Sequence, residues 1–161
     1  VMAMTGNYLR DIEAEDFGAI LIRFKNGAVG IVEGTACVYP RNLEEVLSVF
    51  GESGAAVIGG LAVNRVEAWR FASPAPQDAQ VKKLAGTDPK DVYGSGHNAL
   101  YRNFIEAADA HRAPLVSGEE GIKGLKIVLA AYKSQKTGAP VRYDGLQFST
   151  LEMSRDDVRV R

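Results

Sequence analysis

Residues 94–141 read GSGHNALYRNFIEAADAHRAPLVSGEEGIKGLKIVLAAYKSQKTGAPV, two amphipathic segments set between glycine and proline punctuation. From Leu100, apolar residues recur at Phe104, Ala107 and Ala108, the spacing of a helix with one face inward, and that helix is expected to end near His111. Ser117 followed three residues later by Glu120 spells a capping box, in which hydroxyl and carboxylate satisfy amide donors that a helix start leaves unpaired. A second helix therefore starts at about Ser117. Ile122, Leu125, Val128, Leu129 and Tyr132 form one apolar stripe along it. Lys133 and Lys136 sit where the negative end of the helix dipole favours cations, and Gly138 with Pro140 supplies the stop.

Upstream, residues 1–72 read as β structure. Phe17 to Phe24 and Ala28 to Tyr39 are rich in Ile, Val, Leu and aromatics and meet across Asn26-Gly27, which predicts a type I′ hairpin turn. Leu43 to Phe50 and Ala55 to Ile58 flank Gly51-Glu52-Ser53-Gly54, a second tight reversal, and Leu61 to Phe71 continues as a long strand with Trp69. The expected order is a meander of adjacent antiparallel strands. Strands followed by helices give an α+β fold class: an open, mostly antiparallel β-sheet with helices packed on one face.

The first hairpin bears on assembly. Phe17, Ala19, Leu21 and Arg23 share one face of their strand, while Gly18, Ile20, Ile22 and Phe24 share the other, so both faces are largely apolar. The two helices can cover one of them. Nothing else in the chain is long and apolar enough to cover the second, which predicts that the open face packs on another subunit or domain.

Length and composition bound the function classes. A chain of 161 residues is about one domain, large enough to bury roughly 68–70% of its unfolded surface. Cys37 is the only cysteine, so no disulfide framework exists. With 19 basic and 20 acidic residues interspersed, a net charge of −1 offers no footprint for nucleic acid and no polybasic membrane patch. No apolar run reaches the ~18–20 residues needed to span a bilayer, and no signal peptide is evident, so the cytoplasm is the simplest location. The opening Val1-Met2-Ala3-Met4 looks like the middle of a strand, as expected of a piece cut from a longer chain. Residues 73–92, polar and broken by Pro74, Pro76 and Pro89, read as a surface connection long enough for a functional loop. Residues 146–161 alternate weakly and read as an edge strand followed by a frayed tail.

Few constellations could carry chemistry. Gly94-Ser95-Gly96-His97-Asn98-Ala99 matches the loose dinucleotide pattern, but that fingerprint needs a buried strand immediately before the glycines, and the preceding segment is Thr87-Asp88-Pro89-Lys90-Asp91-Val92-Tyr93. His97 and His111 are the only histidines and have no metal-ligand spacing, so no protein metal site is expected. His111 falls in the last helical turn, where an imidazolium suits the dipole. At a helix start, His97 is disfavoured as a cation; it reads either as a neutral ring able to hydrogen-bond a hydroxyl or as a capping histidine. Cys37 reads as a small buried hydrophobe, and no nucleophile elbow appears.

Taken together, Phe24-Lys25-Asn26-Gly27-Ala28-Val29-Gly30, Phe50-Gly51-Glu52-Ser53-Gly54-Ala55, Gly96-His97 through Tyr101 and Phe104, Ala113-Pro114-Leu115-Val116, Ala131-Tyr132-Lys133-Ser134 and Gly138-Ala139-Pro140-Val141 resemble, over about residues 13–142, the C-terminal domain of the glucose-fructose oxidoreductase / inositol dehydrogenase (Gfo/Idh/MocA) family. The resemblance implies an open sheet with helices on one face and the other face used for oligomerisation, appended to an N-terminal Rossmann domain. It implies hydride transfer between NAD or NADP and a hydroxyl carbon of a sugar, cyclitol or nucleotide-sugar, with a proton removed by the Rossmann half. Tyr93-Gly94-Ser95-Gly96-His97 looks most like members acting on sugars or nucleotide-sugars.

The family's cofactor glycines, its Glu-Lys-Pro motif with the catalytic lysine and its Asp-x-x-x-His helix have no counterpart here. No catalytic, cofactor-binding or metal residue is therefore assigned within the chain, and the fragment alone is expected to be inactive. The expected contribution is a single α+β domain over residues 1–145, serving substrate binding and homo-oligomerisation, with 146–161 as edge strand and tail. Tyr39, Arg41, Tyr93 and His97 carry hydroxyl, guanidinium and imidazole groups suited to polyol or phosphate recognition, and are the expected substrate contacts. The rival reading is a stand-alone, non-catalytic binding or dimerisation module.

Overall fold

A computed structural model describes residues 1–81 and 96–160 of the chain. The strands are β1 (Met2–Gly6), β2 (Phe17–Arg23), β3 (Val29–Thr35), β4 (Leu47–Gly51), β5 (Gly54–Gly59) and β6 (Arg65–Phe71); the helices are α1 (Asp78–Val81), α2 (Gly96–Asp109) and α3 (Gly118–Thr137). The α+β class holds, and neighbouring strands pair antiparallel as a meander, but within two three-stranded sheets, β1-β2-β3 and β4-β5-β6. The chain divides into two compact units. One comprises Val1–Val38 with Val116–Arg161, the other Tyr39–Leu115.

In the first unit, β2 and β3 pair from Phe17↔Thr35 to Arg23↔Val29, and Phe24 N–H donates to Ala28 O at 2.9 Å, which leaves three residues, Lys25 to Gly27, in the turn. Gly27 N–H donates to Phe24 O at 3.0 Å and Gly27 has φ of 91°, while Asn26 lacks a positive φ. The turn is thus a three-residue hairpin closed by a left-handed glycine, and not the two-residue type I′ turn that the dipeptide suggested. Asn26 acts through its side chain instead, its Oδ1 accepting from Ala28 N–H at 3.1 Å.

Helix α3 begins and ends where capping residues said it would. Ser117 is the N-cap, its Oγ accepting from Glu120 N–H, and Gly138 closes the helix with φ of 66° as its N–H returns to Ser134 O. The reciprocal half of the expected box is replaced: the Glu120 carboxylate takes the Lys123 ammonium. The inward face also differs from expectation. Ala130, Ala131 and Ser134 are buried, whereas Ile122, Leu125 and Val128 are exposed. At about 100° per residue, Ile122 stands on the opposite side of the helix from Ala131, and Leu125 from Ser134. Small side chains let α3 approach β1 closely enough for direct bonds: Ser134 Oγ accepts from Ala3 N–H at 3.0 Å and donates to Ala139 O at 2.8 Å, and Gln135 Oε1 accepts from Thr5 N–H at 2.8 Å.

The loop joining β1 to β2 is organised by Asp16, which is 2% exposed. Its carboxylate accepts from Tyr8, Leu9 and Arg10 N–H at 2.8, 2.6 and 2.7 Å. Its carbonyl accepts from Ala36 N–H and from Thr35 Oγ1, which turns the chain out of the sheet, so 36–46 is a connection where strand had been expected on both sides. Cys37 sits there half-buried, its thiol toward Asp16 O. After α3 the chain forms 3-10 turns at Thr150–Glu152 and Arg155–Asp157 with one isolated bridge, Asn7↔Arg159, in place of an edge strand.

In the second unit, Gly51↔Gly54 closes a two-residue turn, and the β5–β6 ladder slips at Val57/Ile58, leaving Glu67 as the extra residue of a bulge. Gly54 is required sterically: a Cβ there would meet the Phe71 ring and lie 2.6 Å from Arg70 O. Helix α2 ends in a Schellman motif, with Arg112 N–H returning to Ala107 O, His111 N–H to Ala108 O, and His111 in the left-handed region at φ of 49°. Of the α2 face expected inward, Ala107 is buried while Leu100 and Phe104 are exposed. Among the described residues no helix is long and apolar enough to cross a membrane.

Candidate functional site

Tyr39 and Arg41 lie on the β3–β4 connection, on either side of a cis Tyr39-Pro40 bond's proline, and both side chains are exposed. His97 lies in the first turn of α2, exposed, its ring 6.5 Å from that of Tyr101. The first turn of α2 holds no acidic residue, so its amide dipole is not offset by a carboxylate of its own. All three belong to the unit Tyr39–Leu115. Tyr93 lies outside the described residues. The set carries a guanidinium, a group that pairs with phosphate or carboxylate, and a phenol and an imidazole, groups that hydrogen-bond hydroxyls.

Asp78 anchors the segment after β6. Its Oδ1 accepts from Trp69 Nε1 at 2.9 Å and its Oδ2 from Ala75 N–H at 2.6 Å, and the indole bond followed by the amide bond holds its carboxyl below the usual range.

Sequence reasoning missed a second polar cluster, in the first unit. A cleft of about 280 Å³ runs between the sheet and α3, with Thr5, Ile20 and Val32 on one wall and Ala131 and Tyr132 on the other. A neighbouring cleft of about 410 Å³ is lined by Glu13, Met153 and Arg155, and Glu15 and Tyr132 border both. Tyr132 Oη donates to Glu15 Oε1 at 2.7 Å. That bond, then burial, pushes the phenol up to about 12, so it is a donor throughout the physiological range. Thr5 Oγ1 is buried and has no partner among the described residues. The acidic run Glu13-Ala14-Glu15-Asp16 is the available signal, whereas Tyr132 stands in the sequence as one member of an apolar stripe and of the Ala131-Tyr132-Lys133-Ser134 motif.

Among the described residues no group of three His, Cys, Asp or Glu could hold a metal ion. A Rossmann-type dinucleotide site is built on a parallel βαβ unit, whereas the strand ladders among the described residues are antiparallel.

The family model of the Gfo/Idh/MocA oxidoreductases, C-terminal alpha/beta domain, matches residues 2–143. Among solved structures, the WlbA dehydrogenase from Bordetella pertussis, in complex with NADH and UDP-GlcNAcA, is 34% identical with a TM-score of 0.77, over 88% of this chain and 41% of that one. The WlbA dehydrogenase from Chromobacterium violaceum, in complex with the same two molecules, is 33% identical with a TM-score of 0.73, over 88% and 40%. An oxidoreductase from Agrobacterium radiobacter, 20% identical with a TM-score of 0.59 over 88% and 42%, shares the fold. Among curated protein sequences none matches. The chain spans about two fifths of the length of these structural relatives. It belongs to the Gfo/Idh/MocA oxidoreductase family and is the C-terminal alpha/beta domain of that family.

Proposed function

We propose that this chain supplies substrate binding and self-association to a cytoplasmic NAD(P)-dependent dehydrogenase acting on a nucleotide-sugar. The observation that carries the reading is the 34% and 33% identity, over 88% of the chain, to two dehydrogenases solved with NADH and UDP-GlcNAcA. Arg41 would meet a phosphate or carboxylate of the substrate, while Tyr39, Tyr93 and His97 would orient sugar hydroxyls. The nicotinamide cofactor would be held by residues outside this chain, and no proton or hydride transfer is assigned to the residues within it. Self-association would use the sheet face of β1-β2-β3 that α3 leaves uncovered.

The test is to express the gene product, supply UDP-GlcNAcA and NAD, and follow nicotinamide absorbance. Reduction of the cofactor is expected. Arg41→Ala and His97→Ala should each raise KM for the nucleotide-sugar by about 10-fold or more with little change in kcat, the effect of losing a hydrogen bond to a charged or positioned group. No reduction with any nucleotide-sugar would overturn the substrate class. An unchanged KM in both variants would overturn the assignment of those residues.

A further inference from the structure

Asn26-Gly27, at the tip of the β2–β3 hairpin, sets a side-chain amide next to a main-chain nitrogen that no Cβ screens. Both residues are exposed, and a Cβ built on Gly27 would meet nothing within 4 Å, so water and base reach the site. Two hydrogen bonds decide what this pair can do. Asn26 Oδ1 accepts from Ala28 N–H at 3.1 Å, which draws electron density away from the side-chain carbonyl carbon, Cγ. Gly27 N–H donates to Phe24 O at 3.0 Å, which retains the proton whose loss would turn the nitrogen into a nucleophile. One bond prepares the electrophile and the other restrains the nucleophile.

We propose that Asn26 is a site of spontaneous covalent modification, a deamidation that the folded hairpin restrains through the Gly27–Phe24 hydrogen bond. In the first step hydroxide takes the proton from Gly27 N, and the nitrogen's electron pair forms a bond to Asn26 Cγ. The Cγ–Nδ2 bond then breaks and the amide group leaves as ammonia, taking up a proton from water and so returning hydroxide. The product is a five-membered succinimide. Water adds to one of its two carbonyl carbons and the ring C–N bond at that carbon opens, giving aspartate when the carbon is Cγ and isoaspartate when it is the main-chain carbon. Overall, water enters and ammonia leaves, with no oxidant or reductant. Because Gly27 N must turn away from Phe24 O to reach Cγ, the reaction waits for the tip to open, a local fluctuation that needs no global unfolding. The products do not restore the original tip. Isoaspartate threads one more carbon into the main chain of a turn that closes against the Arg23↔Val29 pair, and either product adds a carboxylate beside Lys25, whose ammonium pairs with Asp144 at 3.1 Å.

The experiment is to incubate the gene product in mildly alkaline buffer, native and in guanidinium chloride, and to follow the Asn26 peptide by mass spectrometry, with exchange of the native Gly27 amide measured alongside by NMR. Deamidation adds one mass unit, and chromatography separates aspartate from isoaspartate. The peptide is expected to convert in denaturant and at least about 5-fold more slowly in the native protein, the factor one ordinary hydrogen bond imposes. Exchange of the Gly27 amide should be slowed by a similar factor, since both events wait on the same opening. Asn26→Gln should abolish the conversion in denaturant, because its longer side chain closes a less favoured six-membered ring. No conversion of wild type in denaturant, or conversion that persists in Asn26→Gln, overturns the site. Conversion as fast in the native protein as in denaturant, or slowed far more than exchange of the Gly27 amide, overturns the restraint by that hydrogen bond.

Discussion

Asp16 shows how one buried carboxylate can organise a loop. Burial pulls its pKa up, but the amides of Leu9, Arg10 and Tyr8 and the nearby Cys37 thiol outweigh it and hold the group down, from 3.8 to about 2. A folded pKa below the unfolded one stabilises the fold wherever the carboxylate is ionised, so the contribution is complete above about pH 4 and is lost as pH falls toward 2. The stability difference between wild type and Asp16→Asn, measured by denaturant melts across that window, is expected to shrink steadily as the solution is acidified. A difference independent of pH would refute the role. At the same scale, Val63 at φ of 51° stands in the left-handed region that a β-branched residue seldom occupies, a local cost accepted where the chain turns from β5 into β6 beside Gly60 at 94°.

Between elements, Ser134 joins Gln135 in holding β1 against α3. Ser134 is 1% exposed and bonded on both sides, so Ser134→Ala leaves the Ala3 amide and Ala139 carbonyl without their partner. A loss of about 1–3 kcal/mol in chemical denaturation is expected, the range for stranding buried backbone groups. A loss within error of zero would mean that water replaces the hydroxyl. This residue also marks how far the sequence could be read. Helix ends were legible because Ser117 and Gly138 act within one turn of themselves, and the second hairpin because Gly51 and Gly54 bracket two polar residues. The inward face of α3 was not legible from the larger side chains: Ile122, Leu125 and Val128 are more apolar than Ala130 and Ser134, yet close approach of a strand selects small volume. Tyr39, Arg41 and His97 could be chosen by their chemistry alone. Periodicity carries no information about which exposed polar groups converge, and it gave no reason to join Glu15 to Tyr132 across 117 residues of chain.

For the whole chain, the strand ladders among the described residues are antiparallel and residues 2–143 match a C-terminal alpha/beta domain, and the proposed function places recognition here and the cofactor elsewhere. Residues 1–161 alone are expected to leave NADH fluorescence unchanged when titrated in, while the same residues within an active dehydrogenase set its KM for sugar. Quenching or enhancement that saturates would contradict the assignment of the cofactor to other residues. The first compact unit joins Val1–Val38 to Val116–Arg161, with the second unit between them in sequence. Because the amides of Ala3 and Thr5 wait for Ser134 and Gln135, a ribosome that has made β1-β2-β3 must still add about a hundred residues before α3 can cover the sheet. Closing so long a loop is entropically slow, so during synthesis both apolar faces of that sheet stay open together, and the nascent chain is exposed to misassociation until α3 has emerged.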